Sequence, residues 1–142
     1  MRKLRLAELT SRLVGAPYKL GGHGVDTGFD CYSLLLAACD FWNTEVPRAF
    51  DGLTVDNYPE RFRADPDGTK QILFKALASM GKEIKPSEAF AGDILVTSTK
   101  GTNFFGVGIH AGGDSILATY LERGVQIMPL RGYNIIKAYR VT

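Results

Sequence analysis

The sequence predicts an α+β protein, with helices at the front and a cysteine-bearing helix packed on a five- or six-stranded antiparallel sheet. Three observations carry this. The first eighty residues hold three apolar runs at helical spacing, over 3–14, from Cys31 to Trp42, and over 69–80. From residue 93 the period changes to short β-type runs: "DILVTST", "FFGVGIHA", "SILATYL", "VQIMPL" and "IIKAYRV". The helices precede the strands rather than alternating with them, which argues against βαβ units and for a meandering antiparallel sheet.

In order, residues 3–14 form a first helix, closed by Gly15 and Pro17. "KLGGHGVDTGFD" is a glycine-rich loop, and Asp30 is a good cap for the helix "CYSLLLAACDFW". That helix is apolar almost all round, which marks a central, buried element. "NTEVPR" stops it. Residues 48–68 read as a charged excursion with Pro59, Pro66 and an Asp67-Gly68 turn, holding a short helical turn around 57–63. "TKQILFKALASMG" is the third helix, with Thr69 near its cap and Gly81 just past its end. No linker, repeat or low-complexity segment divides residues 1–142, and 45% apolar content suffices for one core.

Composition excludes several classes. The 17 basic residues are spread along the chain against 15 acidic ones, for a net charge of +2, so no nucleic-acid partner is expected. The opening "MRKLRLAELTSRLVG" is basic, but Arg5, Glu8 and Arg12 interrupt its leucines. It reads as an amphipathic helix rather than a signal peptide, so synthesis in the cytoplasm without export is expected. No run approaches the roughly 20 apolar residues of a membrane span. Cys31 and Cys39, eight residues apart on one helix, would sit about 12 Å apart, too far to bridge. Two free thiols are expected, and with only His23 and His110 as histidines no zinc site or other cofactor is.

Cys31 is the candidate nucleophile. The thiolate is the reactive form of cysteine, and a helix N-terminus lowers a thiol pKa through its dipole and N–H groups. The same N–H groups suit a developing oxyanion. The plainer reading of a free cysteine is a small buried hydrophobe, and Cys39, in mid-helix, takes it.

"GAPYKLGGHGVDTGFDCYSLL" resembles the NlpC-type cell-wall cysteine peptidases of the papain-like class, whose signature is Tyr-x-x-Gly-Gly followed by Phe-Asp-Cys at a helix start. "FAGDILV" is similar to the family's Pro-Gly-Asp-Leu-Val, and "GVGIHAGGDSILATYLERGVQIMPL" to its His-Val-Gly-Ile hairpin. The likeness spans about residues 9–141 and is nearest to the phage tail branch of the family. It implies a Cys31 nucleophile, with the Tyr18 hydroxyl beside the thiol to polarise the scissile carbonyl. It also implies a histidine base where this chain has Gly106, and a polar orienter where it has Ala118. Tyr32 and Ser33 follow the cysteine, where the family often has a small or aromatic residue and then glycine.

A thiol needs a base. His110 shares a strand face with position 106 but lies about 13 Å further along the strand, and the downstream motifs fall into register without a gap. His23, in the glycine-rich loop, is the other candidate. Two readings of function follow. One is a phage tail-tip component, carried in the virion tail, that descends from a wall peptidase and has lost its base. Its partners are other tail-tip or hub proteins, docked through residues 48–68, and peptidoglycan peptides. The other is an active cysteine endopeptidase of peptidoglycan stem peptides during phage entry, with Cys31, Tyr18 and His110 as catalytic residues. A thiol acyltransferase or amidase is a third.

Overall fold

The computed structural model describes residues 2–141, except 20, 21, 23, 25, 42–48, 51, 55, 100–104 and 121. Four helices and two sheets are present among them: α1 (Arg2–Leu13), α2 (Cys31–Phe41), β1 (Ala49–Phe50), β2 (Leu53–Thr54), α3 (Tyr58–Ala64), α4 (Pro66–Met80), β3 (Lys82–Ile84), β4 (Ile94–Thr99), β5 (Phe105–Gly112), β6 (Ser115–Tyr120), β7 (Gly124–Pro129) and β8 (Tyr133–Arg140). The chain is α+β, with a six-stranded antiparallel sheet behind the helices.

Leu6, Leu9 and Leu13 give α1 one buried stripe, and Gly15, at φ +94°, ends it in a conformation that side chains avoid. In α2 the residues Tyr32, Leu34, Leu35, Leu36, Ala38 and Cys39 are all buried. The helix packs on β5 and β6, in one cluster with Val107, Ile109, Leu117 and Val125. "NTEVPR" lies outside the described residues.

The excursion after α2 is more regular than its composition predicts. β1 and β2 form a small hairpin, and α3 follows with Pro59 in its first turn. Tyr58 of α3 stacks on Tyr32 at 5.3 Å between ring centroids, which ties the excursion to α2. Helix α4 starts three residues before the expected Thr69. Pro66 stands at the first helical position, where its missing N–H costs nothing, and Asp65 caps the helix by accepting from Gly68 N at 3.0 Å. The Asp67-Gly68 pair is therefore part of a helical turn.

The sheet order is β3-β8-β4-β5-β6-β7, all neighbours antiparallel. The expectation of a simple meander is corrected: only β4 to β7 meander, and β8 returns to pair between β3 and β4. One face of the sheet receives the helices. The other gathers Leu95, Ile116, Ala118, Leu130 and Ala138 into a second cluster with no α2 residue in it. Tyr120 on β6 and Tyr133 on β8 are three strand positions apart, about 14 Å in a flat sheet. Both side chains pack against that second cluster, and their hydroxyls meet at 3.1 Å across it.

Candidate active site

The N-terminus of α2 is built by a reciprocal cap. Asp30 Oδ1 accepts from Ser33 N at 2.8 Å, and Ser33 Oγ accepts from Asp30 N at 3.0 Å. Both residues are buried, and Leu34 N donates to the Asp30 carbonyl to start the helix. This is the capping-box arrangement with aspartate and serine in the two places. It gives Ser33 a physical reason, because a glycine there would leave the Asp30 N–H without this acceptor. Cys31 is the first residue of α2. Its sulfur lies outside the described atoms, and so does the expectation that it faces Gly106; His23 lies outside the described residues altogether.

The segment that carries Tyr18 runs beside the approach to α2. Tyr18 forms an isolated bridge with Phe29, Phe29 N donates to Pro17 O at 3.0 Å, and Lys19 N donates to Phe29 O at 3.1 Å. Thr119 Oγ1 of β6 also donates to Phe29 O, at 3.2 Å. Tyr18 and Cys31 are thus brought to the same edge of the helix by backbone pairing.

The sheet opens at this place. β5 and β6 pair from Gly112↔Ser115 up to Ile109↔Leu117 and no further, although both strands continue. β5 stays paired with β4 as far as Ser98↔Phe105. Beyond Leu117 the side of β6 is taken by the chain leading into α2, through Thr119 and Phe29. The helix N-terminus therefore stands at a split between two strands, where the continued register sets Gly108 across from Ala118 and Gly106 across from Tyr120.

The two nearby glycines of β5 differ. A Cβ on Gly108 would fall 2.8 Å from both Ile116 Cδ1 and Leu117 O, so packing against β6 demands glycine. Among the described residues a Cβ on Gly106 would meet only Thr97 Oγ1, at 3.9 Å, and Gly106 has no positive φ. Neither its backbone nor packing among the described residues requires glycine at position 106.

His110 shares the face of Gly106 and Gly108, opposite Val107 and Ile109. It is buried and serves the β5–β6 turn: its Nδ1 accepts from Gly112 N at 3.0 Å. Burial holds its pKa below the ordinary histidine value, against the opposing pull of Asp93 and Asp114. The neutral ring is the form that accepts this hydrogen bond. Because the folded pKa is depressed, the stabilisation is present above about pH 6.5 and is lost as the pH falls through the lower folded value. The melting temperature is expected to fall more steeply between about pH 7.5 and about pH 5 in the parent than in His110→Asn, whose Oδ1 keeps an acceptor without titrating. Equal slopes in thermal melts would assign the titration to another group.

Asp93 gave no signal of its function in the sequence beyond the Gly-Asp pair. It is fully buried, and its carboxylate accepts from Arg140 Nε at 3.1 Å, Arg140 Nη2 at 2.9 Å and Phe90 N at 2.9 Å. Its carbonyl accepts from His110 N at 2.8 Å. Asp93 thus ties β4, β5 and β8 together below the split. No three His, Cys, Asp or Glu side chains converge as a metal site among the described residues, and no helix there is long and apolar enough to cross a membrane.

A cysteine opening a buried helix that is seated on an antiparallel sheet defines the papain-like class of fold. Within it, the NlpC/P60 family model matches residues 15–141, and the chain belongs to that family. Solved structures agree on the fold. RipD from Mycobacterium tuberculosis, described as a non-catalytic NlpC/p60 domain protein adapted to peptidoglycan binding, is 18% identical. It superposes with a TM-score of 0.62, covering 100% of this chain and 98% of its own. The P60 domain of an antigen from M. avium paratuberculosis is 19% identical, with a TM-score of 0.59 over 99% of this chain and 96% of its own. An NLP/P60 lipoprotein-like protein from Staphylococcus aureus is 21% identical, with a TM-score of 0.65 over 99% of this chain and 41% of its own. No curated protein matches.

Proposed function

We propose that this chain is a catalytically degenerate NlpC/P60 domain that serves as a structural, wall-engaging component of a phage tail tip. The observation that carries the reading is Gly106. It stands where the family motif has its base, and neither its backbone nor packing among the described residues requires glycine there. The matching orienter position is Ala118, and His110 is committed to the Gly112 turn. RipD, a similar fold, is a non-catalytic domain adapted to peptidoglycan binding, so loss of cleavage is compatible with a retained wall contact. The tail-tip assignment rests on the sequence likeness to the phage branch. Tail proteins dock on the excursion around α3, where Gly52, Asp56, Glu60 and Arg63 are exposed.

General-base catalysis contributes about 10²–10⁴-fold. The purified protein is therefore expected to release stem-peptide fragments from peptidoglycan very slowly or not at all, as read by mass analysis of the soluble fraction. Robust release that disappears in Cys31→Ala would replace this reading with the second one. In that second reading the chain is an active cysteine endopeptidase, with Cys31 as nucleophile, Tyr18 polarising the carbonyl and His110 as base. It is favoured by the intact cap that holds Cys31 at the first position of α2.

A further inference from the structure

We propose that the edge of β7 at Ile127, beside a groove under α1, docks a short extended segment of a partner protein that carries apolar side chains at alternate positions. The inference goes beyond the reading above and does not depend on whether Cys31 cuts. β7 is an outer strand of the large sheet. Val125 turns its backbone groups away from β6: its N–H donates to Ala16 O at 2.8 Å, and its carbonyl accepts from Gly15 N at 2.9 Å. The pairing of β6 with β7 runs without a register shift from Ser115↔Pro129 to Tyr120↔Gly124. Backbone direction alternates along an antiparallel strand, so Ile127 also turns its N–H and C=O outward. Neither group makes a hydrogen bond to another described residue. Two residues further on, Pro129 has no N–H to offer. The edge is therefore closed by this chain's own segment at one end and by proline at the other, and is open at one residue between them.

The side chains around this gap select the occupant. Ile127 pairs with the core residue Leu117 and so lies on the helix face of the sheet, yet it is 44% exposed. Val14, 41% exposed, immediately precedes the Gly15 that pairs with Val125. Beside Ile127, between α1 and the sheet, runs a groove of about 580 Å³ lined by Leu6, Ala7 and Thr10 of α1, by Ala91 and by Ala111. Its lining is mostly small and carries no charge. A residue set opposite Ile127 in an antiparallel segment would exchange both hydrogen bonds with it. Its side chain would share the face of Ile127 and enter the groove, where an apolar group gains burial and a charged one loses hydration. A second copy of this chain does not fit. Pairing β7 with β7 around Ile127 would bring Pro129 of one copy to the place that Gly15 and Ala16 of the other already hold. The occupant is therefore a segment of a different protein that ends or turns away within a few residues. The groove is remote from the candidate active site, since Ala111 and Gly106 lie five residues, about 17 Å, apart along β5.

The test uses the intact chain and the probe acetyl-Ser-Val-Thr-Val-Ser-amide, followed by amide chemical shifts and hydrogen exchange. In the free protein the Ile127 amide is expected to exchange faster than those of Gln126 and Met128, which face β6. With the probe, saturable shifts are expected at Ile127, Ala7 and Ala111, and exchange at Ile127 is expected to slow. N-methylation of both valines removes the donor at whichever one faces Ile127 and is expected to weaken binding about 5-fold, the value of one neutral hydrogen bond. Ala7→Leu fills the groove from an exposed position of α1. It is expected to abolish binding in a protein that melts as the parent does. Slow exchange of the Ile127 amide in the free protein overturns the proposal, because the amide then has a partner within the chain. Absence of shifts at millimolar probe overturns it too, as does undiminished binding by Ala7→Leu. Protection of Ile127 that grows with protein concentration, together with a dimer in sedimentation, overturns the choice of occupant. The peptidoglycan release assay is independent of each of these outcomes, so failure here leaves the wall-engaging reading intact.

Discussion

Gly106→His combined with Ala118→His is expected to speed alkylation of Cys31 by iodoacetamide near pH 6 by about tenfold or more. A nearby imidazolium favours the thiolate, and each unit of lowered thiol pKa raises the thiolate fraction tenfold well below that pKa. The structure removes the main objection to the substitution. Gly106 has an ordinary φ, and a Cβ there meets Thr97 Oγ1 only at van der Waals distance. The side chain would leave β5 on the face opposite Val107, so it does not reach α2 through the strand. It reaches the helix N-terminus through the split, where pairing of β5 with β6 has stopped at Ile109↔Leu117. Thr97 Oγ1 is then placed to accept from the new ring and hold it. The measurement is the alkylation rate against pH in a Cys39→Ala background, with melting curves for every variant. If the double mutant is as stable as the parent and Cys31 reacts no faster, position 106 is not the vacated base position, and the endopeptidase reading with His110 gains accordingly. Gly108→His is the contrasting variant. Its Cβ would collide with Ile116 and Leu117 O, so it should unfold the hairpin rather than activate the thiol.

The parts of this site that lie close together in sequence are legible there, and the parts made by long-range pairing are not. Asp30 before an apolar run announces the helix that Cys31 opens, and Asp-x-x-Ser is itself a readable cap once serine is allowed in the second place. The alternation in 93–141 announces strands. It does not announce their partners, so β8 between β3 and β4 is invisible locally. β3 carries no sequence signal, because three residues with two exposed side chains, Lys82 and Glu83, show no apolar alternation. Pro66 falls within the excursion by composition, although at the first helical position the same residue starts a helix. The split could not be read at all: β5 and β6 keep their strand pattern beyond the point where they cease to pair. Thr97 is one threonine among several until its burial opposite Gly106 is known. Nor does the pattern reveal that Asp93 meets Arg140, 47 residues away.

Asp93→Ala is expected to destabilise the chain by about 3 kcal/mol, lowering the melting temperature by roughly 10 °C. The carboxylate is fully buried and receives three N–H donors, two from Arg140 and one from Phe90. Hydrogen bonds to a charged acceptor are worth roughly 1.5–3 kcal/mol each, but they are not additive, and Arg140 regains water when its partner goes. Its guanidinium also lies 3.9 Å above the half-exposed Phe90 ring and donates to Glu88 O, so it keeps part of its place. The Phe90 N–H fares worse, because it loses its acceptor at the turn into β4. The loss should spread to the site, since Asp93 O holds His110 N at the far end of the same strand as Gly106. Asp93→Asn separates charge from shape: it preserves the packing and a carbonyl acceptor, and is expected to cost less than Asp93→Ala. Chemical denaturation with an unchanged m-value would show that the whole sheet, not a frayed edge, bears the loss. A cost below about 1 kcal/mol for Asp93→Ala would mean that the buried carboxylate is no more than compensated by its partners, as replacement of buried ion pairs sometimes reveals. The junction of β4, β5 and β8 would then be held by the apolar packing of Ile94, Ile109 and Tyr139 alone.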